Sequence, residues 1–192
     1  ETPNEDAGVV IVVDDHTGVL AVADGVGGER SGDVAAKVAV ESLAESLEQC
    51  KSGELAVRAA ILNGIEAANR KILDMGLGAA TTLAVLEISG QEVRPYHVGD
   101  SIILLFGSKG KIKWQTTMHS PVGFAVEAGV LDEHEALHHE DRHLVSNVVG
   151  SSAMRIEIGP SITLAAHDTV LLASDGLIDN LTVDEIVQLL RK

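Results

Sequence analysis

The sequence predicts a single α+β domain in which antiparallel β-sheets are covered by helices. Short apolar runs joined by tight turns occur at residues 9–23 and again at 81–106, as expected of β-hairpins. Segments with apolar residues at helical spacing separate these groups of strands. No linker or internal repeat divides the 192 residues, and this length suits one domain with a real hydrophobic core.

The first predicted element is a hairpin. Residues 9–13 are apolar at every position, which predicts a strand that is covered on both faces. Turn residues fill 14–18, and 19–23 form the returning strand.

Two helices are predicted after the hairpin. The first covers 33–48, and Ser31 or Asp33 is a suitable N-cap. The second ends near Gly76, which can adopt the left-handed conformation that closes a helix. Its buried stripe is predicted to contain Ile61, Ile65, Ala68 and Ile72.

The remainder of the chain is predicted to alternate strands, an irregular segment and a last helix. Pro95 indicates that its strand lies at an edge or is bulged. Residues 119–143, rich in His and Glu, are predicted to be helix plus loop, and Thr182 caps a helix over 183–190. The predicted strands are 81–88, 93–98, 101–106, 111–116, 162–164 and 169–173.

Composition excludes several classes of function. The net charge of −15 leaves no basic surface for a phosphate backbone, so we expect no nucleic-acid partner. The aliphatic runs are far shorter than the roughly 20 residues that cross a bilayer. The polar, acidic N-terminus shows no signal peptide, and the single Cys50 fits a reducing compartment, so we expect a cytoplasmic protein.

Acidic residues stand at the ends of several predicted strands, beside glycine. Asp24 precedes Gly25, Asp175 precedes Gly176, and Asp100 follows a glycine in a looser version of the same pattern. Carboxylates at close quarters cannot all ionise unless a cation lies between them, and oxygen-only ligands select Mg²⁺ or Mn²⁺. Two such ions roughly 3.5–4 Å apart can hold a water and a phosphoryl oxygen. The candidate ligands are Glu5, Asp6, Asp24, Asp100 and Asp175, with the carbonyl oxygen of Gly25.

Five motifs in order carry a resemblance to a known family: Asn4-Glu5-Asp6-Ala7, Asp24-Gly25-Val26-Gly27-Gly28, residues 78–82 with their Thr-Thr pair, Val98-Gly99-Asp100-Ser101 and Ala173-Ser174-Asp175-Gly176-Leu177. Over nearly its whole length the chain resembles the metal-dependent protein phosphatases (the PPM, or type-2C, family), in their compact bacterial form. The resemblance implies a four-layer α-β-β-α sandwich, two antiparallel sheets with a helix pair on each outer face. It also implies hydrolysis of phosphoserine and phosphothreonine in proteins by a water that bridges the metals.

The resemblance also implies roles for individual residues. Asp24 would bridge two core metals beside the Gly25 carbonyl, and Asp175 would bind the second metal. Glu5 and Asp6 would act through metal-bound waters, and Asp100 would serve a third, looser site. Catalysis would thus depend on Asp6, Asp24 and Asp175 with two or three Mg²⁺ or Mn²⁺ ions, and 119–143 would be the flap beside the site. We expect a monomer acting on a phosphoprotein substrate.

The sequence departs from the family pattern at three places. Glu1 stands where the family usually has an Arg that grips the substrate phosphate. Val26 stands where some eukaryotic members have a His proposed as general acid. The family's final strand carries an Asp-Asn pair, and Asp179-Asn180 is too close to Asp175 to be that element, so we expect the final C-terminal strand to be missing.

Three other interpretations remain open at this level. Residues 25–32 resemble a nucleotide-binding loop but lack its Lys-Ser/Thr step and break the dinucleotide pattern. His134 and His138 fit the His-Glu-x-x-His spacing of a zinc hydrolase, although a solvated, acid-rich flap helix is the favoured explanation. A phosphatase-like regulatory module without activity is the remaining alternative, suggested by Glu1 and the missing final acid.

Overall fold

A computed structural model describes residues 4–26 and 31–191 and has four layers, in the order helices, sheet, sheet and helix. The expected α-β-β-α sandwich is therefore confirmed. The strands, in chain order, are β1 Asp6–Val12, β2 Thr17–Val26, β3 Ala80–Thr81, β4 Leu83–Ser89, β5 Glu92–Val98, β6 Ile102–Phe106, β7 Ile112–Gln115, β8 Glu157–Ile158, β9 Ile162–Thr163 and β10 Thr169–Ala173. The helices are α1 Gly32–Lys51, α2 Val57–Asp74, α3 Pro121–Glu127, α4 Glu133–Leu137, α5 Asp175–Ile178 and α6 Val183–Leu190.

Both sheets are antiparallel throughout. The larger has the order β1-β2-β4-β5-β8, with β3 paired to β2 and β9 paired to β5. The smaller has the order β10-β6-β7. Hairpins join β1 to β2, β4 to β5 and β6 to β7, whereas the chain crosses from the larger to the smaller sheet between β5 and β6. Gly90, with φ of +60°, closes the turn between β4 and β5 as the sequence predicted.

Side-chain alternation along β6 explains how the layers pack. Ile103 and Leu105 point toward the larger sheet and pack with Leu86. The alternate residues of β6 point the other way, where they pack against Ile186 and Val187 of α6. Helices α1 and α2 cover the outer face of the larger sheet and bury Ile61, Ile65, Ala68 and Ile72, the stripe that was predicted for α2. In the described part of the chain, α6 and the single turn α5 cover the outer face of the smaller sheet.

The expectation that residues 9–13 are covered on both faces was wrong. Val10 and Val12 are 74% and 66% exposed, whereas Ile11 is buried against the helices. The cause is position, because β1 is the edge strand of the larger sheet and the three strands of the smaller sheet do not pair or pack over it in the described part of the chain.

Pro95 marks an interruption rather than an edge. Strand β5 pairs with β4 on one side, and on its other side β9 takes residues 92–93 while β8 takes 96–97. Pro95 lies between these two short strands, where its missing N–H costs no sheet hydrogen bond. Its carbonyl oxygen instead accepts a hydrogen bond from the Gly159 N–H, at 2.9 Å.

Helices α3 and α4 account for about half of the flap segment, residues 119–143. Glu133 of α4 accepts a hydrogen bond from the Val183 N–H at the start of α6, at 3.0 Å. Arg142 and His143 lie 3.9 and 3.5 Å from the Asp179 carboxylate. These contacts hold the flap segment against α5 and α6. Among the described residues, no helix combines the length and apolar character needed to span a bilayer.

Candidate metal centre

Asp6 and Asp24 stand opposite each other across the first hairpin. Asp6 is the first residue of β1, and its Cα is paired with that of Asp24 near the end of β2. Side chains of directly opposed residues lie on the same face of an antiparallel pair. The hairpin register therefore brings the two carboxylates together, although eighteen positions separate them in the sequence.

Two threonines fix the backbone at Asp24. The Asp24 N–H donates to Thr82 Oγ1 at 3.0 Å, and the Asp24 carbonyl oxygen accepts from the Thr82 N–H and from Thr81 Oγ1, each at 2.8 Å. Thr81 and Thr82 are buried. With both polar groups of its peptide bonded to buried partners, Asp24 has a rigid base from which its carboxylate projects.

Gly25 allows the end of β2 to contact the start of α1. A Cβ on Gly25 would lie 2.3 Å from the carbonyl carbon of Gly32, and a Cβ on Gly32 would lie 2.6 Å from Glu5 Oε2. The Gly25 N–H also donates to the Glu5 carbonyl oxygen, at 3.3 Å. Only glycine fits at these two positions, and the Glu5 carboxylate consequently lies beside the N-terminus of α1.

Asp175 arrives from the other end of the chain. It is the first residue of α5, directly after β10, and the preceding Ser174 donates a hydrogen bond to Asp6 Oδ2 at 3.1 Å. This contact joins residues 168 positions apart and ties the smaller sheet to the edge of the larger one.

Asp100 and Asp179 complete the acidic group. Asp100 is 5% exposed and lines, with Asp175 and Asp179, a cavity of about 100 Å³ that continues beneath the flap segment. Asp179 follows Asp175 by four residues, one helical turn, so α5 places both carboxylates on one side. Val122, Val126 and Leu137 of the flap segment form an apolar part of the cavity wall, which also includes Arg142.

The charges of these residues act on one another. Burial, followed by the charge of Asp175 and a hydrogen bond to it, raises the pKa of Asp24 to about 8, with smaller effects from Asp6 and Asp100. Burial, and then the charge of Asp175, raises the pKa of Asp100 to about 6. The same two causes raise the pKa of Asp179. Repulsion by the charge of Asp175 thus adds to the effect of burial in all three shifts, and a cation bound among these carboxylates would oppose both.

The donor set fits hard divalent cations. Carboxylates and a backbone carbonyl are the ligands that Mg²⁺ and Mn²⁺ take, and sulfur or imidazole ligands are not part of the group. In the described part of the chain, the one group of three potential ligand atoms all within 4.8 Å of one another is His97, His119 and Glu157, so the acids are spaced more widely. Wide spacing suits Mg²⁺-type ions, which keep several waters in place of protein ligands.

The structure thus brings together Glu5, Asp6, Asp24, Gly25, Asp100 and Asp175, all of the residues that the sequence nominated. Val26 ends β2 and pairs with Ala80. Glu1, which stands in place of the phosphate-gripping Arg, lies outside the described residues. The metal-ligand roles of the six nominated residues remain predictions.

His134 and His138 do not form a zinc site of the expected kind. Both side chains are exposed, and His138 Nδ1 lies 2.9 Å from the carbonyl oxygen of His134. Glu135, the would-be general base, closes a capping box with Asp132 at the start of α4. No third ligand gathers around this pair among residues 4–26 and 31–191. Helix capping therefore accounts for the pattern.

Sequence reasoning missed two contributors to the site. Ser174 was only part of a motif, yet its hydroxyl binds Asp6. Asp179 was set aside as too close to Asp175, yet it lines the same cavity. The four-residue spacing of the two acids was the available signal, but the sequence predicted no helix over residues 175–178.

Similarity to known proteins extends over the whole chain. A family model described as protein phosphatase 2C matches residues 1–192. Protein phosphatase PhpP of Streptococcus pneumoniae is 32% identical over 178 residues, which are 88% of this chain and 70% of PhpP. A Streptococcus agalactiae serine/threonine phosphatase superposes with a TM-score of 0.86 at 29% identity, over 100% of this chain and 81% of that one. The catalytic domain of the serine/threonine protein phosphatase PstP, solved with two manganese ions, gives a TM-score of 0.76 at 26% identity, over 98% of this chain and 78% of its own.

Proposed function

Because the chain belongs to the protein phosphatase 2C family of metal-dependent serine/threonine phosphatases, we propose that its acidic group is the catalytic metal centre. The substrate is then a phosphoserine or phosphothreonine side chain of a protein. The observation that supports this assignment most strongly is the convergence of Asp6, Asp24, Asp100 and Asp175 from distant segments of the chain, and the pKa of Asp24, raised to about 8 by burial and by its acidic neighbours, agrees with it. A divalent cation relieves that repulsion, and a folded chain without one has no electrostatic reason to hold these groups together.

We assign the ligands as follows. Asp24 would hold two cations, with the Gly25 carbonyl as an additional donor, and Asp175 would hold the second. Glu5 and Asp6 would contact the cations through water, and Asp100 would hold a third. When bound, Mg²⁺ or Mn²⁺ ions supply the positive charge that activates an attacking water and neutralises the phosphoryl oxygens. One of the solved relatives contains two manganese ions, which supports at least two sites of this type.

The residues around the ligands orient them. Ser174 donates to Asp6 and fixes the direction of its carboxylate, and Thr82 anchors the backbone of Asp24. Outer contacts of this kind strengthen metal sites in other proteins. The buried position of Asp100 limits the water that competes with its ligand function.

Arg142 is our candidate for contact with the substrate. Its side chain lines the cavity that also contains Asp100 and Asp175, and it is partly exposed. A guanidinium group binds phosphate oxygens bidentately, so Arg142 can hold the phosphoprotein at the mouth of the site. This role would supply some of the phosphate affinity that Arg gives other members at the position of Glu1.

The direct test is hydrolysis of a phosphothreonine peptide and of p-nitrophenyl phosphate with Mn²⁺ or Mg²⁺. We expect activity that EDTA abolishes and that added Mn²⁺ restores. Binding of Mn²⁺ without any hydrolysis, by a protein with a normal melting curve, would instead identify the regulatory module. Activity restored by Zn²⁺ but not by Mn²⁺ would overturn the assignment. The monomeric state and cytoplasmic location remain predictions, which gel filtration with light scattering and cell fractionation address.

A further inference from the structure

His119 makes several hydrogen bonds that connect the flap segment with the turn that carries Asp100. The His119 N–H donates to the Gly99 carbonyl oxygen at 3.0 Å, and the Gly99 N–H donates back to His119 Nδ1 at 3.1 Å. The His119 carbonyl oxygen accepts from both the N–H and the hydroxyl of Ser146, each at 2.8 Å. His119 is 7% exposed, so these bonds are shielded from water.

Asn147 determines which nitrogen of His119 carries the proton. Asn147 Oδ1 accepts from the Arg155 N–H at 3.0 Å, and Nδ2 donates to the Arg155 carbonyl oxygen at 2.7 Å, so the amide can be oriented in only one way. The same Nδ2 lies 2.9 Å from His119 Nδ1. With N–H donors from Asn147 and Gly99, Nδ1 must present its lone pair. The ring proton is therefore on Nε2, which donates to Glu157 Oε2 at 3.0 Å.

This tautomer argues against a metal ion at the neighbouring group. His97, His119 and Glu157 bring ligand atoms within 4.8 Å of one another, a spacing that a transition metal could use. Coordination through His119 Nε2 would require the proton to move to Nδ1, where it would oppose two N–H donors. The rings of His97 and His119 are stacked, with centroids 4.4 Å apart, and His97 Nε2 lies 3.1 Å from the Thr117 carbonyl oxygen. The group is better suited to a fixed hydrogen-bond arrangement.

Thr82 contacts the Gly99 turn in addition to His119. Gly99 has φ of +105°, and a Cβ there would lie 2.7 Å from the Thr82 side chain, so the turn is pressed against the residue that anchors Asp24. The hydroxyls of Thr82 and Ser101 lie 2.7 Å apart on the other side of Asp100. His119 thus bonds both backbone polar groups of Gly99, the residue before Asp100. Ser101, the residue after Asp100, bonds to Thr82.

We propose that His119, as the Nε2–H tautomer, is a positioning residue that fixes the Asp100 carboxylate through Gly99 and couples it to the flap segment. The inference rests on the proposed function of Asp100 as a cation ligand. Loss of the Nδ1 acceptor should loosen the turn and weaken the Asp100 cation site, without removing any ligand.

Three substitutions distinguish the contribution of His119 Nδ1 from that of Nε2. His119→Asn keeps an acceptor near the position of Nδ1 but loses the contact with Glu157. His119→Gln keeps a polar group near Nε2 but loses that acceptor, and His119→Ala loses both. Asp100→Asn provides the reference for loss of the cation site, and His16→Gln, at an exposed turn, is the control for any histidine substitution.

The measurements are Mn²⁺ binding by calorimetry, the Mn²⁺ concentration for half-maximal hydrolysis, and the melting temperature. Asp100→Asn identifies the Mn²⁺ site that depends on Asp100. We expect His119→Gln and His119→Ala to lower the Mn²⁺ affinity of that site by about 10-fold or more, and His119→Asn to lower it by no more than about 3-fold. Equal effects of the Asn and Gln variants, or effects that follow melting temperature alone, would overturn the proposal.

Imidazole ¹⁵N shifts test the tautomer without any assay of activity. We expect His119 to be protonated at Nε2, and we expect Zn²⁺ added to EDTA-treated protein to leave its shifts unchanged. Protonation at Nδ1, or a Zn²⁺-dependent shift at both His97 and His119, would overturn the inference. If the protein hydrolyses no phosphoester, the proposed function fails, but the tautomer and the Mn²⁺ binding still decide the role of His119.

Discussion

The carboxyl groups of Asp24 and Asp175 meet where the two sheets pack together, and burial, followed by the charge of Asp175, raises the pKa of Asp24 to about 8. The two carboxyl groups come from β2 and from the first residue of α5, so the packing of the sandwich itself forces them together. The metal-free fold therefore contains an unfavourable electrostatic contact that a bound cation would convert into a favourable one.

Replacing Asp24 by Asn should separate activity from stability. We expect Asp24→Asn to lower kcat at least about 100-fold, since cation charge at the reacting phosphate is worth several kcal/mol. In EDTA the same variant should be more stable than the parent protein by about 1–2 kcal/mol at pH 7.5, because folding buries the Asp24 carboxyl group at a cost, as its raised pKa shows, and Asn has no charge to bury. Urea unfolding and steady-state kinetics measure the two effects. Asp15→Asn, in the exposed β1–β2 turn, is the control, and a metal-free Asp24→Asn less stable than this control would contradict the argument.

The metal-free protein should become less stable as the pH rises. The pKa of Asp24 is about 8 and that of Asp100 about 6 when folded, both above the value near 3.9 of an unfolded aspartate. The folded state thus binds more protons than the unfolded state between these limits, and stability declines from about pH 4 until both groups are ionised above pH 8. Melting curves in EDTA at pH 5.5 and 8.5 should show the decline, and Asp24→Asn should reduce it between pH 6 and 8. A melting temperature that rises over this range would contradict the pKa directions.

Gly25→Ala should damage the site, whereas Gly8→Ala should not. The new methyl group at residue 25 would lie 2.3 Å from Gly32, while at residue 8 the nearest atom, the Ala21 carbonyl oxygen, is 3.5 Å away. Overpacking of this severity costs about 1–3 kcal/mol and shifts the backbone that carries the proposed carbonyl ligand. We expect Gly25→Ala to unfold at lower urea concentration and to need more Mn²⁺ for activity. Similar behaviour of the two variants would show that the contact with α1 is not rigid.

Arg142→Ala should raise KM for a phosphothreonine peptide about 3–5-fold and leave kcat within twofold. The side chain is partly exposed, so its contribution to binding should be that of a surface ion pair, near 1 kcal/mol. Initial rates over a range of peptide concentrations provide the measurement. Arg70→Ala, on the outer helix α2, is the matched control, and a kcat reduced as much as KM is raised would assign Arg142 to the reaction itself.

His134 and His138 provide a test of the zinc alternative. We expect the double variant His134→Asn and His138→Asn to keep Mn²⁺-dependent activity within about twofold, because both side chains are exposed and the helix is capped by Asp132 and Glu135. Hydrolysis of p-nitrophenyl phosphate before and after treatment with a zinc chelator is the measurement. Loss of activity in this variant, with an unchanged melting curve, would revive the alternative.

Much of this molecule could be predicted from local sequence, and the exceptions have physical causes. Thr182 caps the last helix as expected. Its hydroxyl accepts a hydrogen bond from the Glu185 N–H, and the Glu185 carboxylate accepts one from the Thr182 N–H. Ser31 stands at the start of α1, but its side chain makes no capping bond. The predicted strand 81–88 is divided at Thr82, because that residue leaves the ladder to bind Asp24.

The site required more than local signals. Asp24 and Asp175 could be nominated because each follows an apolar run and precedes glycine. Asp179 could not, since only the short helix α5 makes its spacing meaningful. The bond between Ser174 and Asp6 depends on which sheet edges meet, and the pairing of residues 168 positions apart leaves no local pattern. The exposure of Val10 follows in the same way from the width of a sheet that forms much later in the chain.

The Ser174–Asp6 bond also has a consequence for biosynthesis. Glu5, Asp6 and Asp24 leave the ribosome first, but the surface that completes their surroundings is translated some 150 positions later. A nascent chain therefore carries unneutralised carboxylates while its partners are still being made, and non-local pairing of this kind forms slowly. Uptake of the proposed cations should accordingly be among the last events of maturation, so that a tightly bound cation would report that both sheets have closed.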